Sequence, residues 1–178
     1  MKPFSISIFP ELPVFGAVRV LSGTLDETDY IVGGAAFTLP EGIVYDLLLT
    51  NTGEAILLTG TVKAKAQTEC DRCLAPVTFD VAGEVEGYYL LEQSEDVEGY
   101  ERDEFEVISS DGSFDIAPAI QAALVYATPF VIVCKDDCKG LCPHCGADLN
   151  EGPCSCGADG IDPLNPFSML SGMDLDDE

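Results

Sequence analysis

Positive charge is what this sequence has least of. Lysine and arginine together number 8 against 32 aspartates and glutamates, a formal net charge of −24. Affinity for nucleic acid comes largely from cations that neutralise phosphates and release counterions. This balance argues against direct, tight binding of bare RNA or DNA. The few cations, Lys2, Arg19, Lys63, Lys65, Arg72, Arg102, Lys135 and Lys139, are also scattered along the chain. A basic protein partner suits such a surface better.

Histidine is scarcer still. His144 is the only one, so a cysteine–histidine nucleophile pair would have to use a side chain wedged between two cysteines. The Walker loop, the dinucleotide fingerprint and the GxSxG elbow are all missing, and the many acidic residues form no spaced HxE or DxD set that would single out a metal-dependent nuclease. The expectation is a protein that is not an enzyme and has no small-molecule substrate. No apolar run approaches the ~18 residues a membrane helix needs. The opening "MKPFSISIFPELPVF" lacks the uninterrupted apolar core and small-residue cleavage site of a secretory signal. A soluble, cytoplasmic protein without membrane association is expected.

Cysteine, by contrast, is plentiful. Six of the eight fall within "CKDDCKGLCPHCGADLNEGPCSC", from Cys134 to Cys156. Reducing cytoplasm keeps thiols free, and clustered cysteines there more often bind metal than form disulfides. The eight form four close pairs: Cys70 and Cys73, Cys134 and Cys138, Cys142 and Cys145, Cys154 and Cys156. A tetrahedral Zn²⁺ site is built that way, two thiolates from one tight turn and two from another. "CPHCG" is the sharpest turn, because Pro143 restricts one residue and Gly146 permits positive φ. With "CSC" it makes a compact site of Cys142, Cys145, Cys154 and Cys156. By elimination, Cys70 and Cys73 join Cys134 and Cys138, for two zinc ions per chain. His144, inside a knuckle, reads as solvated.

Other chemistries use the same residue types. A redox dithiol wants its CxxC at a helix N-terminus, whereas "CDRC" lies between two strand patterns beside Glu69 and Asp71. Iron–sulfur ligation is a second alternative, although the ferredoxin run of cysteines is missing. Buried thiols without metal are a third. Under the zinc reading both sites are full at four protein ligands, which is the structural rather than the catalytic form. Each carries a local charge of −2, which Arg72, Lys135 and Lys139, all beside ligands, are placed to offset.

The rest of the chain reads as strands followed by one helix. "FSISIF" alternates, and "IVYDLLLT" ends at the turn signal Asn51-Thr52-Gly53. The clearest element is a long hairpin. Ile56, Leu58, Val62, Ala64 and Ala66 share one face, and after the "CDRC" tip Val77, Phe79, Val81 and Val85 continue it. Asp115 reads as an N-cap, with Pro118 in the first turn and Ile116, Ile120, Ala123, Leu124 and Ala127 as an apolar stripe. Phe130 to Val133 reads as a short strand leading into the cysteines.

The expected fold is α+β: an antiparallel β-sheet or partly open barrel with a long hairpin, one packing helix and a small C-terminal zinc knuckle. Its domains are a β-rich core over 1–133, with an acidic loop at 92–106 and a helix over about 115–128, then a cysteine-rich zinc module over 134–160. Residues 161–178 follow as a short helix, started by Asn165 and Pro166, and an acidic tail.

Taken together, "ECDRC" at a hairpin turn, "CKDDCKGLCPHCGADLN", "CSC" and the closing "DPLNPFSML" resemble the large ribosomal RNA subunit accumulation protein family, YceD. The resemblance implies a role in accumulation of 23S ribosomal RNA and supplies no catalytic residue. With the charge, it suggests an adaptor or chaperone for a basic ribosomal protein or processing factor. The alternative is a zinc-dependent module contacting rRNA through Lys63, Lys65 and Arg72.

Overall fold

A hairpin of two fifteen-residue strands sets the frame of the computed structural model, which describes residues 1–91 and 106–156. β6 (Ala55–Glu69) and β7 (Pro76–Leu90) pair antiparallel from Ala55↔Leu90 to Glu69↔Pro76. Alternate side chains point to opposite faces, and Ile56, Leu58, Val62, Ala66, Val81 and Val85 are all buried on the same one. The tip is the "CDRC" turn, as its position between two alternating runs predicts.

β6 has two neighbours along its other edge. β5 (Ile43–Asn51) pairs with its first half, from Asn51↔Ile56 to Ile43↔Ala64. β4 (Ala35–Thr38) meets it near the tip at Thr38↔Gln67. β2 (Val18–Leu25) extends the sheet beyond β5, and β3 (Asp29–Val32) beyond β4. A short β8 (Glu106–Val107) runs parallel to the end of β7, and β1 (Ser5–Ser7) pairs separately with β9 (Ser113–Asp115).

Among the described residues no pairing joins β2 or β3 to β7 or β8, so the mostly antiparallel sheet does not close into a barrel. α1 (Ala117–Ala127) packs across the inner face against β7, β3 and β6, taking up the space that closure would have enclosed. Ile116, Ile120 and Leu124 are fully buried there with Leu47, Leu49, Ile56 and Leu58.

The helix starts later than its sequence suggests. Asp115 belongs to β9, opposite Ser5, and the N-cap is Ile116, with no side-chain cap. The Asp115 carboxylate instead accepts from the amides of Phe4 (2.7 Å) and Ala117 (2.9 Å), tying the N-terminal segment to the first helical residue. At the other end Thr128 closes the helix. Its hydroxyl donates to the Leu124 carbonyl (2.7 Å) and lies 2.9 Å from the Tyr30 hydroxyl in the core.

Helix and sheet approach closely at Gly83. A Cβ there would sit 2.4 Å from the Ala123 carbonyl oxygen, a backbone atom that cannot swing aside. Gly83→Ala therefore lifts α1 off the sheet, and overpacking of this kind costs about 1–3 kcal/mol. Gly87→Ala is the control, since its Cβ meets only the Tyr89 ring. Urea unfolding of the pair should show a clear loss for Gly83→Ala and a smaller one for Gly87→Ala.

Phe130 to Val133 is not a strand: it enters no ladder. Asp71 at the hairpin tip holds it instead. The Ile132 amide donates to the Asp71 carboxylate (2.6 Å), and the Asp71 amide donates to the Ile132 carbonyl (2.8 Å). Both backbone groups a ladder would have used are thereby satisfied. Of the acidic stretch, residues 92–105 lie outside the described residues, and so does the expected terminal helix with its acidic tail.

Candidate metal centre

Two turns of the chain are built alike. In the first, Leu74 N donates to the Cys70 carbonyl (2.9 Å) and Cys70 N to the Ala75 carbonyl (2.8 Å). In the second, Gly146 N donates to the Cys142 carbonyl (2.9 Å) and Cys142 N to the Ala147 carbonyl (2.8 Å). Each turn puts two cysteines on one side, and each needs a left-handed residue after the second cysteine. That residue is Gly146 in one (φ +71) and Leu74 in the other (φ +60). A side chain in this region costs roughly 1–2 kcal/mol, part of which glycine returns as unfolded-chain entropy. Leu74→Gly should accordingly leave thermal stability unchanged or raise it by up to about 1 kcal/mol; a loss would show that exposed Leu74 makes contacts its geometry does not suggest.

The Ile132–Asp71 clamp delivers Cys134 to the hairpin tip, and a turn closed by Cys138 N to Lys135 O (3.1 Å) brings Cys138 round to it. The Cys70 and Cys138 sulfurs stand 3.9 Å apart, those of Cys73 and Cys134 3.6 Å. In the second group Cys142 and Cys154 are 3.4 Å apart. Within each group of four all sulfurs lie within 4.8 Å of one another. A tetrahedron of thiolates at Zn–S ~2.3 Å has edges of about 3.8 Å, so both sulfur sets have the dimensions of a tetrathiolate metal site. They are the same two foursomes that the spacing of the pairs suggests.

The sulfurs are also electrostatically prepared. Cys70 is fully buried, which pushes its thiol up, yet amide hydrogen bonds from Arg72, Cys134 and Cys73 outweigh burial and bring it down to about 6. Arg72 N lies 3.4 Å and Cys134 N 3.3 Å from that sulfur. Cys142 is likewise lowered to about 6, by the amides of Cys145 and His144. The opposite holds for Cys134 and Cys156, both pushed up to about 12, chiefly by their hydrogen bonds with Cys73 and Cys145. One thiol in each set ionises readily and another resists, because four sulfurs this close cannot all carry charge without a cation among them.

The sets differ in setting. Cys70, Cys73 and Cys138 are buried and Cys134 is exposed, whereas in the second set only Cys142 is buried. His144 is exposed and belongs to neither set. Arg72 turns its guanidinium inward, Nη1 donating to the Cys138 carbonyl (2.9 Å). Lys65 pairs with Glu41 at 3.2 Å. Lys135 and Lys139 are exposed.

Residues with no assigned role in the sequence reading join the sets to each other. Leu141 N donates to the Arg72 carbonyl (3.1 Å), and Leu149 N to that of Gly140 (3.0 Å). Gly140 is there because its φ is +73 and a Cβ would lie 2.9 Å from the Arg72 carbonyl oxygen. Asn150, between the second pair of cysteine turns, reaches back to the first set: its Oδ1 accepts from Lys139 N (3.0 Å), and its Nδ2 lies 3.5 Å from the Cys138 sulfur. Asn150 closes the "CGADLN" run, but nothing local shows that it would face Cys138. Asp71, also without an assigned role, serves the first set alone by holding Ile132.

The family model described as Large ribosomal RNA subunit accumulation protein YceD matches residues 58–173, a span that contains every one of these cysteines. Uncharacterized proteins of Mycobacterium tuberculosis and Mycobacterium bovis are 37% identical over 108 residues, 61% of this chain and 52% of theirs. One of Mycobacterium leprae is 33% identical over 108 residues, 61% of this chain and 49% of its own. The chain thus spans about half the length of the curated relatives it matches. No solved structure matches it. Among the described residues no helix is long and apolar enough to cross a membrane.

Proposed function

This chain belongs to the YceD family of large ribosomal RNA subunit accumulation proteins, and on that footing we propose that it is a non-catalytic, cytoplasmic zinc protein of large-subunit ribosome biogenesis, acting on 23S ribosomal RNA through a basic protein partner. The observation that carries the reading is the pairing of two closed sulfur sets with a net charge of −24. Four thiolates fill a zinc ion's coordination, and such sites stabilise folds rather than activate water. An acidic surface repels RNA and attracts cationic protein.

The alternative of direct rRNA contact through Lys63, Lys65 and Arg72 has less support, because Lys65 is paired with Glu41 and Arg72 with the Cys138 carbonyl. Affinity capture with and without nuclease separates the two readings. The expected result is a basic ribosomal or processing protein that stays bound after RNA is digested. Binding of purified chain to naked 23S RNA with a steep salt dependence would overturn it.

Zinc entry should also release protons. Cys134 and Cys156, held up at about 12, are thiols at neutral pH and must ionise to become ligands. The sign follows: bound metal favours the deprotonated form, so affinity rises with pH and falls as acid returns the protons. Calorimetric titration at pH 7.5 should give a binding heat that varies with the ionisation enthalpy of the buffer. A buffer-independent heat would count against ligation by all four thiols.

A further inference from the structure

The helix and core occupy one face of the sheet, and the pairing register shows what the other face carries. Outward-pointing residues form rows across β2, β5, β6 and β7. The first row is Val18, Thr50, Leu57 and Tyr88, the second Val20, Leu48, Thr59 and Glu86, and the third Ser22, Asp46, Thr61 and Glu84. Adjacent strands are about 4.8 Å apart, so each row is continuous. Val20 is 71% exposed and stands directly opposite Leu48 at 38%; Leu57, at 37%, lies on the diagonal one strand further. The apolar rows thus form one patch at one end of the face, and acids border it on the hairpin side and below.

Those acids are only partly balanced. Among the described residues the ion pairs are Arg19 with Glu11 and Lys65 with Glu41, and neither involves Asp46, Glu84 or Glu86. The nearest cation in the register, Lys63, stands in the adjacent row, diagonal to Asp46 and Glu84, so one positive charge faces three negative ones; Lys65 stands one row further towards the cysteine tip. An apolar patch rimmed by a net charge of one sign marks an interaction surface for a partner of the other sign.

We infer that this outer sheet face, with Val20, Leu48 and Leu57 as its apolar contacts and Asp46, Glu84 and Glu86 as its charged rim, docks an amphipathic segment rich in lysine or arginine on a protein partner. The inference deepens the proposed function, on which its basic partner rests, by placing that partner on the opposite face of the sheet from α1. A second copy of this chain is the poorer occupant, since it would bring the same acids against one another.

The test uses the full zinc-loaded chain and a short synthetic peptide alternating leucine and lysine, with leucine–glutamate and serine–lysine peptides as controls. Amide NMR shifts should map to β2, β5, β6 and β7 for the leucine–lysine peptide and be absent for the leucine–glutamate one. Leu48→Lys and Glu84→Lys with Glu86→Lys should each weaken binding at least about tenfold, the scale on which a lost interface anchor is felt, with unchanged circular dichroism and melting. Shifts confined to the cysteine end, equal binding of the serine–lysine peptide, or self-association through this face without peptide would each overturn the inference. Basic-protein capture that is lost by wild-type chain refutes the proposed function itself; capture that Leu48→Lys leaves intact refutes only the surface.

Discussion

If both sulfur sets hold zinc as proposed, Cys70→Ala should leave the chain with one ion and without a stable fold, whereas Cys156→Ala should leave it with one ion and an intact sheet. The difference lies in what each sulfur set closes. Cys73 and Cys134 are 61 residues apart in sequence, and their set ties the hairpin tip to the segment after α1. Cys142 and Cys154 are 12 apart, and theirs gathers one local loop. On loop-closure entropy alone the first set restrains the unfolded chain by about 1.4 kcal/mol more. Burial adds to this, since Cys70 is fully buried and Cys156 exposed. A structural zinc site supplies on the order of 10 kcal/mol, as much as the whole net stability of a domain, about 5–15 kcal/mol. Elemental analysis should find two zinc ions in the wild type and one in each variant, and thermal unfolding by circular dichroism should show a cooperative transition for Cys156→Ala only. Equal melting of the two variants, or two ions retained in Cys70→Ala, would sink the assignment.

Asn150→Ala should weaken zinc at the first set although Asn150 is not a ligand and follows the second set's first turn. Its amide is 3.5 Å from the Cys138 sulfur and its carbonyl takes the Lys139 amide. Partners of this kind hold a ligand's orientation and share its negative charge, and losing one costs about 10–100-fold in metal affinity. The Cys138 thiol is lowered although burial raises it, because hydrogen bonds from the Gly140 amide, Asn150 and the Cys134 and Cys73 thiols outweigh burial. Chelator competition in a Cys156→Ala background, where only the first ion remains, reads the effect cleanly. An unchanged affinity there would mean that the contact is incidental. An Asn150→Asp variant sharpens the test, because it puts a carboxylate where the sulfur's donor was and should be worse than alanine.

Much of this protein is written locally. The hairpin was legible because alternation repeats every two residues over Ala55–Glu69 and Pro76–Leu90, and α1 because Ile116, Ile120 and Leu124 recur at helical spacing. β2 was harder to read: Val18, Val20 and Leu21 fall on both faces, so the outward valines blur the contrast that marks a half-buried strand. The same exposed residues make the outer surface unusual, which is why a weak strand signal and a docking face coincide.

By itself the sequence determined the four cysteine pairs, the turn chemistry of the two CxxC knuckles, and the strongly negative net charge, for all of these depend on residues a few positions apart or on simple sums. Only tertiary structure decided the rest. Asp115 is claimed by Ser5, 110 positions away, and so does not cap the helix. Ile132 finds both its backbone partners on Asp71, so no strand forms there. α1 fills the inner face, so the sheet stays open. Asn150 meets Cys138 only because Leu141 and Leu149 are bonded to Arg72 and Gly140. Each outcome depends on which distant segment reaches a hydrogen-bonding group or a face first, and local periodicity carries no record of that.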